Sequence, residues 1–309
     1  MNVKSRALAG AVVGAAALSL TVLAPVASAD PADGSYRVLA GVGSDTTEDV
    51  VNGLGESIDG GTLIASYNAT GSTQITTREN NANCTINRPN GSSAGITALV
   101  NDIAAGTDCL DFARSSRGTA TAGTNLTFVP FAADQLKVAV REDSPLNDAD
   151  GLNVTTAQLK AIYECTQTTL NGQPVTPLLP QSGSGTRSFF LAQIGNPALG
   201  SCVGTMQEHR GTDLTSTAHI APYSVAKYIS QTGELIEDVH GDTVLGTIDG
   251  GQYSRPVYNV VETARLTDTD IAETFVGPDS KVCQDEATIT DYGFSPVADC
   301  GSTTLKGNS

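Results

Sequence analysis

The sequence predicts an α/β protein with two domains or lobes. Short apolar runs with the composition of strands alternate with stretches in which apolar residues recur every three or four positions, as they do in helices. Hydrophobic residues make up 39% of the chain, which is enough for a packed core. At about 100–200 residues per domain, a chain of 309 residues predicts two such units.

Four runs have the composition and length of β-strands. Each is short and apolar, which fits a strand buried in a sheet better than a helix. The strand candidates are residues 36–40, 62–67, 126–131 and 136–140.

Helices are predicted most clearly at four places, from apolar periodicity and from capping residues. Two follow from apolar residues on one helical face, at Val50, Leu54 and Ile58 and again at Ile96, Leu99, Val100 and Ile103. A third is expected to start at Thr155, because Thr155 and Gln158 form a capping-box pattern ahead of Leu159, Ile162 and Tyr163. The fourth is expected after Pro222, with Val225 and Ile229 on one face.

The first 29 residues have the pattern of a secretory signal peptide. Lys4 and Arg6 precede an apolar stretch over residues 7–23, and Ala27-Ser28-Ala29 is a small-residue cleavage sequence. We therefore expect cleavage after Ala29, secretion of the mature protein and no membrane insertion after cleavage.

The charge of the chain excludes one class of partner. Asp and Glu number 33 against 17 Lys and Arg, so the formal net charge is −16. A surface this acidic opposes binding to nucleic acid or to anionic lipid, and we expect neither as a partner.

The cysteine count predicts disulfides. Six cysteines follow the predicted cleavage site, and an even number in an exported chain is typical of a disulfide framework. Six cysteines allow 15 connectivities, of which we expect the pairing of neighbours. The spacing contains no C-x-x-C motif, so we expect no zinc site. The expected pairs are Cys84 with Cys109, Cys165 with Cys202, and Cys283 with Cys300.

Three segments rich in Gly, Ser and Thr lead directly into predicted helices, at residues 41–47, 90–95 and 182–187. The first turn of a helix has unpaired backbone N–H groups and a partial positive charge, and glycine lets a ligand come close to that backbone. Such ends bind oxyanions without a basic protein surface. The candidate donors are Ser44, Thr46, Ser92, Ser184 and Thr186, with Arg187 beside the last of them.

A fourth segment, residues 111–118, contains two arginines and two serines. Arginine suits a planar, bidentate contact with an anion. Arg117 is the candidate here, whereas Arg114 fits a solvated loop.

The order of these segments resembles the phosphate-binding proteins of ABC-type uptake systems, in the style of their secreted actinobacterial homologues. The resemblance spans essentially the whole mature chain. Its most specific pieces are Gly-Val-Gly-Ser-Asp-Thr-Thr at 41–47, Asn-Gly-Ser-Ser-Ala-Gly at 90–95, Asp-Phe-Ala-Arg-Ser-Ser-Arg at 111–117, Leu-Pro-Gln-Ser-Gly-Ser-Gly-Thr-Arg at 179–187 and Arg-Pro-Val-Tyr-Asn-Val at 255–260.

The resemblance implies a type II periplasmic-binding-protein fold with a ligand cleft between two lobes. One lobe would comprise residues 30–132 and 252–309, and the other residues 133–251. Matched position by position, the ligand contacts of the family correspond to Asp45 and Thr46 beside Ser44, to Ser92, and to Ser184, Gly185 and Thr186.

Two departures from the family pattern leave the choice of oxyanion open. Ser116 stands where the best-known members have an aspartate that accepts the proton of phosphate, although its hydroxyl can still accept a hydrogen bond. Pro180 stands where those members have an arginine, so we expect Arg117 or Arg187 to offset the charge of the ligand. Without the aspartate, the physical basis for choosing phosphate over sulfate is weaker.

The resulting functional hypothesis is a monomeric binding protein that performs no chemistry and needs no cofactor. It would bind inorganic phosphate or a similar oxyanion, either for an ABC permease or as a free scavenger. The same fold with another anionic metabolite is one alternative. A secreted serine hydrolase is the other, because Gly91-Ser92-Ser93-Ala94-Gly95 matches G-x-S-x-G with Ser93 as nucleophile. The polar, proline-containing residues before it make a poor central strand, which disfavours the hydrolase.

Overall fold

Fifteen β-strands and eight α-helices form the described part of the computed structural model, which covers residues 30–32 and 34–309. The predicted signal peptide lies outside the described residues. The strands of the first half are β1 (Leu39–Gly43), β2 (Ile64–Ser66), β3 (Gln74–Thr76), β4 (Thr85–Asn87), β5 (Phe112–Ser115), β6 (Leu126–Arg141) and β7 (Asn153–Val154). The remaining strands are β8 (Thr169–Leu170), β9 (Gln173–Pro174), β10 (Thr176–Pro180), β11 (Gly204–Met206), β12 (His219–Ser224), β13 (Thr243–Ile248), β14 (Tyr253–Glu262) and β15 (Lys306–Gly307).

The helices confirm the predicted alternation of strands and helices. They are α1 (Glu48–Ser57), α2 (Ser92–Ala105), α3 (Thr156–Tyr163), α4 (Gly185–Gln193), α5 (Val225–Thr232), α6 (Thr269–Phe275), α7 (Lys281–Gln284) and α8 (Glu286–Asp291). None of the helices in the described part of the chain is long and apolar enough to cross a membrane.

The main sheet has the strand order β11-β10-β12-β6-β14-β5-β1-β2. Its two ends are parallel, since β1 pairs with β2 and β5, and β10 pairs with β11 and β12. The long strands β6 and β14 run antiparallel through the middle and connect the two ends. This is the two-lobed α/β fold, with two parallel units joined by long crossover strands.

Each parallel unit has apolar cores on both faces of the sheet. In the first, Leu39 and Phe112 pack toward α1, whereas their chain neighbours Ala40 and Ala113 belong to the core under α2. Successive strand residues point to opposite faces, so one strand supplies both cores. In the second unit, the larger core is formed by β6, β10 and β12 with α3 and α4.

The strand predicted for residues 136–140 is not separate from the one predicted for residues 126–131. Both belong to β6, which continues through residues 132–135, including the polar Asp134 and Gln135. Asp134 lies opposite Arg255 of β14 in the ladder, and the two side chains form an ion pair of 2.7 Å. Because its charge is compensated there, Asp134 does not interrupt the strand.

The predicted apolar face of α5 is wrong, although the helix does follow Pro222. Ile229 is 46% exposed, and the buried residues of α5 include Ala226 and Lys227. Burial of Lys227 is possible because carboxylates of the other lobe surround its ammonium group. A polar face therefore points inward, and apolar periodicity alone gives the wrong side.

The capping box and the disulfide pairing are confirmed. The Thr155 side chain accepts a hydrogen bond from the Gln158 backbone N–H, and the Gln158 side chain accepts one from the Thr155 backbone. The disulfides join the three neighbouring pairs, Cys84–Cys109, Cys165–Cys202 and Cys283–Cys300.

Candidate functional site

Four buried hydroxyl groups meet between the lobes. They belong to Thr46, Ser92, Ser116 and Thr186, hereafter the hydroxyl cluster, and each residue is 0% exposed. Thr46 Oγ1 lies 3.1 Å from Thr186 Oγ1 and 3.3 Å from Ser116 Oγ. Ser92 Oγ lies 3.3 Å from Ser116 Oγ. Thr186 is in the second parallel unit and the other three are in the first, so the cluster spans the interface between the units.

The local structure around the cluster follows from strands that end at helix starts. Ser92 opens α2 and accepts a 3.0 Å hydrogen bond from the Ser116 backbone N–H, directly after β5. Thr186 lies in the first turn of α4. Gly185 is required beside it, because a side chain there would collide with the hydroxyls of Ser92 and Ser116. Three helix or strand ends therefore supply polar groups to one point.

His209 contacts the cluster as a neutral donor. Its Nδ1 accepts a hydrogen bond of 3.2 Å from the Ser224 backbone N–H, so the proton of the neutral ring is on Nε2. Nε2 lies 3.0 Å from Thr46 Oγ1 and 3.2 Å from Thr186 Oγ1. Burial, with added effects from Arg255 and Lys227, lowers the pKa of His209 well below its usual value. The ring thus offers an N–H group to the site without a positive charge.

Glu208 brings a carboxylate to the same point. Its Oε1 accepts hydrogen bonds of 3.2 Å from the Thr46 hydroxyl and from the Thr186 backbone N–H. The latter is one of the free amides at the start of α4, a position that attracts negative charge. Oε2 is buried and has no hydrogen-bond partner among the described residues.

Among the described hydrogen-bond partners of the hydroxyl cluster, the cation is the guanidinium of Arg255. Its Nη2 donates to Thr46 Oγ1 at 3.3 Å, and its Nη1 donates to the Ser116 carbonyl at 3.4 Å. Asp134 holds the guanidinium in place through two hydrogen bonds of 2.7 and 3.0 Å. Arg255 is 1% exposed, so its charge acts in a desolvated environment.

An ion-pair cluster around Lys227 connects the lobes next to this site. Lys227 Nζ lies 2.5 Å from Asp49, 3.4 Å from Glu48 and 3.8 Å from Asp45. Burial alone would lower the pKa of Lys227, but the three carboxylates outweigh it and raise the pKa well above its usual value. Burial raises the pKa of both Asp45 and Glu48, against the opposing effect of Lys227.

The structure brings some of the predicted site residues together and separates others. Thr46, Ser92, Ser116, Gly185 and Thr186 meet, as described above. Ser44, two residues before Thr46, is also buried, and its hydroxyl has no hydrogen-bond partner among the described residues. Asp45 is directed toward Lys227 and Gln207, whose Nε2 donates to Asp45 Oδ2 at 3.3 Å.

Ser184 and the two predicted arginines have other partners. The Ser184 hydroxyl caps α4 by accepting a 2.9 Å hydrogen bond from the Arg187 backbone N–H. The Arg187 side chain donates to the Pro180 carbonyl at 2.9 Å. The Arg117 side chain donates to Ser93 Oγ at 3.0 Å and to the Gly118 carbonyl at 2.8 Å. Within the described residues, neither guanidinium is hydrogen-bonded to the hydroxyl cluster. The prediction that Arg114 lies in a solvated loop is wrong, because Arg114 is 0% exposed on β5 and donates to Ser66 Oγ at 2.7 Å and to the Tyr67 carbonyl at 2.8 Å.

Sequence reasoning missed Glu208, His209, Asp134, Arg255 and Lys227 as site residues. The available signal was charge within apolar surroundings, because Asp134 interrupts an apolar run and Arg255 opens a motif already noted for the resemblance. Such a signal does not say which charges meet. These residues come from β6, β14, α5 and the loop after β11, and only the tertiary fold brings them together.

The geometry around Ser93 does not support the hydrolase alternative. A nucleophile elbow needs a buried strand immediately before the serine. Ser93 instead lies in the first turn of α2, and β4 ends earlier, in a two-stranded hairpin with β3. In the described part of the chain, no hydrogen bond joins Ser93 to a histidine, while its Oγ accepts from Arg117.

Comparison with protein families identifies the relationship of the whole chain. A profile described as the PBP superfamily domain matches residues 26–291. The chain belongs to the PBP superfamily. The comparison with curated proteins gave no match.

Solved structures of the PBP fold resemble this chain over most of its length. A substrate-binding protein from Clostridium perfringens, classed with phosphate ABC transporters and with bound phosphate, has a TM-score of 0.58 at 16% identity, covering 84% of this chain and 99% of its own. An ABC-type phosphate transport receptor from Vibrio cholerae has a TM-score of 0.56 at 17% identity, covering 84% and 100%. A phosphate binding protein from Stenotrophomonas maltophilia has a TM-score of 0.52 at 12% identity, covering 85% and 91%. At these identities the likeness shows the fold.

Proposed function

We propose that this PBP superfamily member binds inorganic phosphate, or a similar small oxyanion, between its two lobes. The observation that carries the proposal is the buried hydroxyl cluster, in which Thr46 of one lobe meets Thr186 of the other at 3.1 Å. Hydroxyls, the Nε2–H of neutral His209 and the guanidinium of Arg255 are all suitable donors to an oxyanion. The phosphate named in the descriptions of the structural neighbours supports the same ligand class.

Binding requires movement of the lobes. The hydroxyls of the cluster contact each other directly at 3.1–3.3 Å, so an anion reaches them only when they separate. We assign one lobe to residues 30–132 and 252–309 and the other to residues 133–251, with β6 and β14 at the hinge. Separation and closure about two crossover strands is a hinge motion, which is a common response to ligand binding in two-domain proteins.

We further propose that Glu208 favours phosphate over sulfate. Its carboxylate lies within hydrogen-bond distance of Thr46, so it would also lie next to a bound anion. A carboxylate accepts a hydrogen bond from an oxyanion that still has a proton and repels one that has none. Phosphate carries such a proton near neutral pH, whereas sulfate does not. Glu208 would thus take the role of the aspartate that other family members have at the position of Ser116.

Isothermal titration of the dialysed mature protein with phosphate and with sulfate tests both proposals. The variants are Thr46→Val, which removes the central hydroxyl, and Glu208→Gln, which removes the negative charge. We expect Thr46→Val to weaken phosphate binding by about tenfold or more, because a hydrogen bond to a charged group contributes roughly 1.5–3 kcal/mol. Glu208→Gln should narrow the preference for phosphate over sulfate.

Thr290→Val is the matched control, because Thr290 is exposed on α8 and outside the site. It should bind phosphate like the wild type. An unchanged phosphate affinity in Thr46→Val would remove the hydroxyl cluster from the proposal. Tight sulfate binding by the wild type would contradict the role of Glu208.

The biological setting follows from the predicted signal peptide. We propose that the protein is cleaved after Ala29, acts outside the cytoplasm as a monomer and binds its ligand without catalysing a reaction. It would deliver the ligand to an ABC permease. Cell fractionation with an uptake assay tests this, since a protein that accumulates in the medium and does not affect uptake would act as a scavenger.

A further inference from the structure

A cavity of about 350 Å³ lies next to the hydroxyl cluster, between the lobes. Its volume is in the lower part of the range for small-molecule sites, roughly 300–1,000 Å³. Asp45, Glu208 and His209 line this cavity, and the last two also contact Thr46 and Thr186 of the cluster. The cavity is therefore an extension of the proposed oxyanion site.

Two buried carboxylate oxygens at the cavity have unused acceptor capacity. Asp45 Oδ1 and Glu208 Oε2 have no hydrogen-bond partner among the described residues. The Asp45 side chain is 7% exposed and the Glu208 side chain 0%. The nearest cation to Asp45 Oδ1 is Lys227, at the long distance of 3.8 Å. Buried acceptors without a donor are costly, so a ligand that donates to them would be favoured.

The charge of the cavity favours a cation. The described residues that line it include two cations, Lys227 and Arg210, and His209 is neutral because burial lowers its pKa. The carboxylates that line it outnumber these cations and are Asp45, Glu48, Asp49, Glu208 and Glu237. Burial raises the pKa of Asp45 against the opposing effect of Lys227, and the neighbouring carboxylates raise it further, so a cation in the cavity would stabilise the charged form of this group.

We propose that the full ligand is a phosphate monoester that carries a protonated amine. The inference rests on the proposed function, because the phosphate end would occupy the hydroxyl cluster. The ammonium end would lie in the adjacent cavity and donate to Asp45 and Glu208. Phosphate alone fills only the first part of this combined site and leaves both carboxylate oxygens unpaired.

Two esters with the same two-carbon chain isolate the contribution of the ammonium group. 2-Aminoethyl phosphate and ethyl phosphate share the phosphate end and differ in the ammonium group. Each is titrated calorimetrically into the mature protein beside inorganic phosphate at pH 5, where a monoester, whose second pKa is about 6, keeps the proton that Glu208 would accept. We expect 2-aminoethyl phosphate to bind about tenfold or more tightly than ethyl phosphate, as expected for one charge-assisted hydrogen bond.

The variant Asp45→Asn tests the location of the amine. It removes one carboxylate of the cavity, so the ratio of the two ester affinities should fall toward one. Glu234→Gln is the matched control, because Glu234 is exposed on the turn after α5 and does not line the cavity. It should keep the wild-type ratio.

The outcomes separate this inference from the proposed function. If inorganic phosphate binds but the two esters bind with equal affinity, the inference is overturned and the proposed function remains. The same holds if inorganic phosphate binds and neither ester does. An ester ratio that Asp45→Asn does not change overturns the assigned position of the amine. Failure of all three ligands to bind overturns the proposed function and the inference with it.

Discussion

At the residue scale, the chemistry of the site depends on how burial sets the charge of each group. His209 is fully buried, with Arg255 and Lys227 nearby, so the neutral ring is favoured and its Nε2–H acts as a donor. Lys227 remains charged because Asp45, Glu48 and Asp49 surround it. A donor without charge beside a compensated cation would let this acidic protein accommodate the proposed anion.

The lowered pKa of His209 gives a prediction for stability. The unfolded chain protonates this histidine near its usual pKa of 6.5, while the folded protein does so only at lower pH. The folded state thus binds fewer protons, and the free energy of unfolding should fall as the pH decreases below about 6.5. The slope for one group is at most about 1.4 kcal/mol per pH unit.

The variant His209→Gln, which keeps a side-chain N–H donor, isolates this effect. Urea unfolding of both proteins between pH 5 and pH 7.5 gives the difference in stability at each pH. We expect the wild type to lose its advantage over the variant as the pH falls. Asp45 and Glu48, whose raised pKa values act in the opposite direction, are present in both proteins. Parallel pH profiles would contradict the assignment of a buried neutral histidine.

At the element scale, helix starts form both the scaffold and the site. The Ser184 hydroxyl caps α4 by accepting from the Arg187 backbone N–H. The backbone N–H of Thr186, also in the first turn, donates to Glu208 in the candidate site. The capping box of α3 has only a structural role, because α3 packs in the core of the second unit. The cap of α3 therefore only stabilises its helix, whereas the cap of α4 lies beside the candidate ligand site.

A substitution in α3 tests the structural contribution of a cap. Thr155→Ala removes the hydroxyl that accepts from Gln158 and should lower the free energy of unfolding by about 1 kcal/mol. Thr168→Ala, at an exposed position in the loop after α3, is the control and should change stability much less. Denaturant unfolding measures both. Phosphate affinity should be unchanged in Thr155→Ala, and a loss of affinity would mean that α3 affects the site.

Element-scale patterns predicted from sequence were right where the local signal decides the structure. The Thr155 cap, the part of α2 over residues 96–103 and the alternation of strands and helices all depend on residues close in sequence. The single strand β6 and the buried polar face of α5 depend on distant partners, Arg255 for one and the carboxylates around Lys227 for the other. Local periodicity contains no information about these partners.

At the scale of the whole molecule, the contacts between the lobes combine apolar packing of Ala226 and Ile236 against the core of the first unit with several polar contacts. Lys227 of one lobe meets Glu48 and Asp49 of the other, and Asn90 exchanges hydrogen bonds with Gln181 and Gln207. Polar contacts of this kind can be broken and formed again at small net cost, because water replaces the lost partners when the lobes separate. The interface therefore suits repeated opening and closing.

The Lys227 cluster gives a prediction for the closed state. Lys227→Met leaves Glu48 and Asp49 close together without their cation, so the closed arrangement should be destabilised by roughly 3 kcal/mol. We expect a larger radius of gyration in solution X-ray scattering and weaker phosphate binding. Lys160→Met, which removes an exposed lysine of α3 that pairs with Glu164 directly after the helix, is the control. An unchanged radius of gyration would show that Lys227 does not hold the lobes together.

The sequence by itself determined the α/β class, the capping box of α3 and a set of hydroxyl residues near helix starts. These features depend on neighbouring residues or on periodicity, which a sequence displays directly. The expected pairing of neighbouring cysteines, in contrast, was one of 15 connectivities that only the structure could decide between. Only the tertiary structure decided that Thr46 meets Thr186, that Glu208, His209 and Arg255 join them, and that Arg117 and Arg187 have other partners. The reason is physical: burial and pairing set the charge and position of each group, and both depend on residues far apart in the chain.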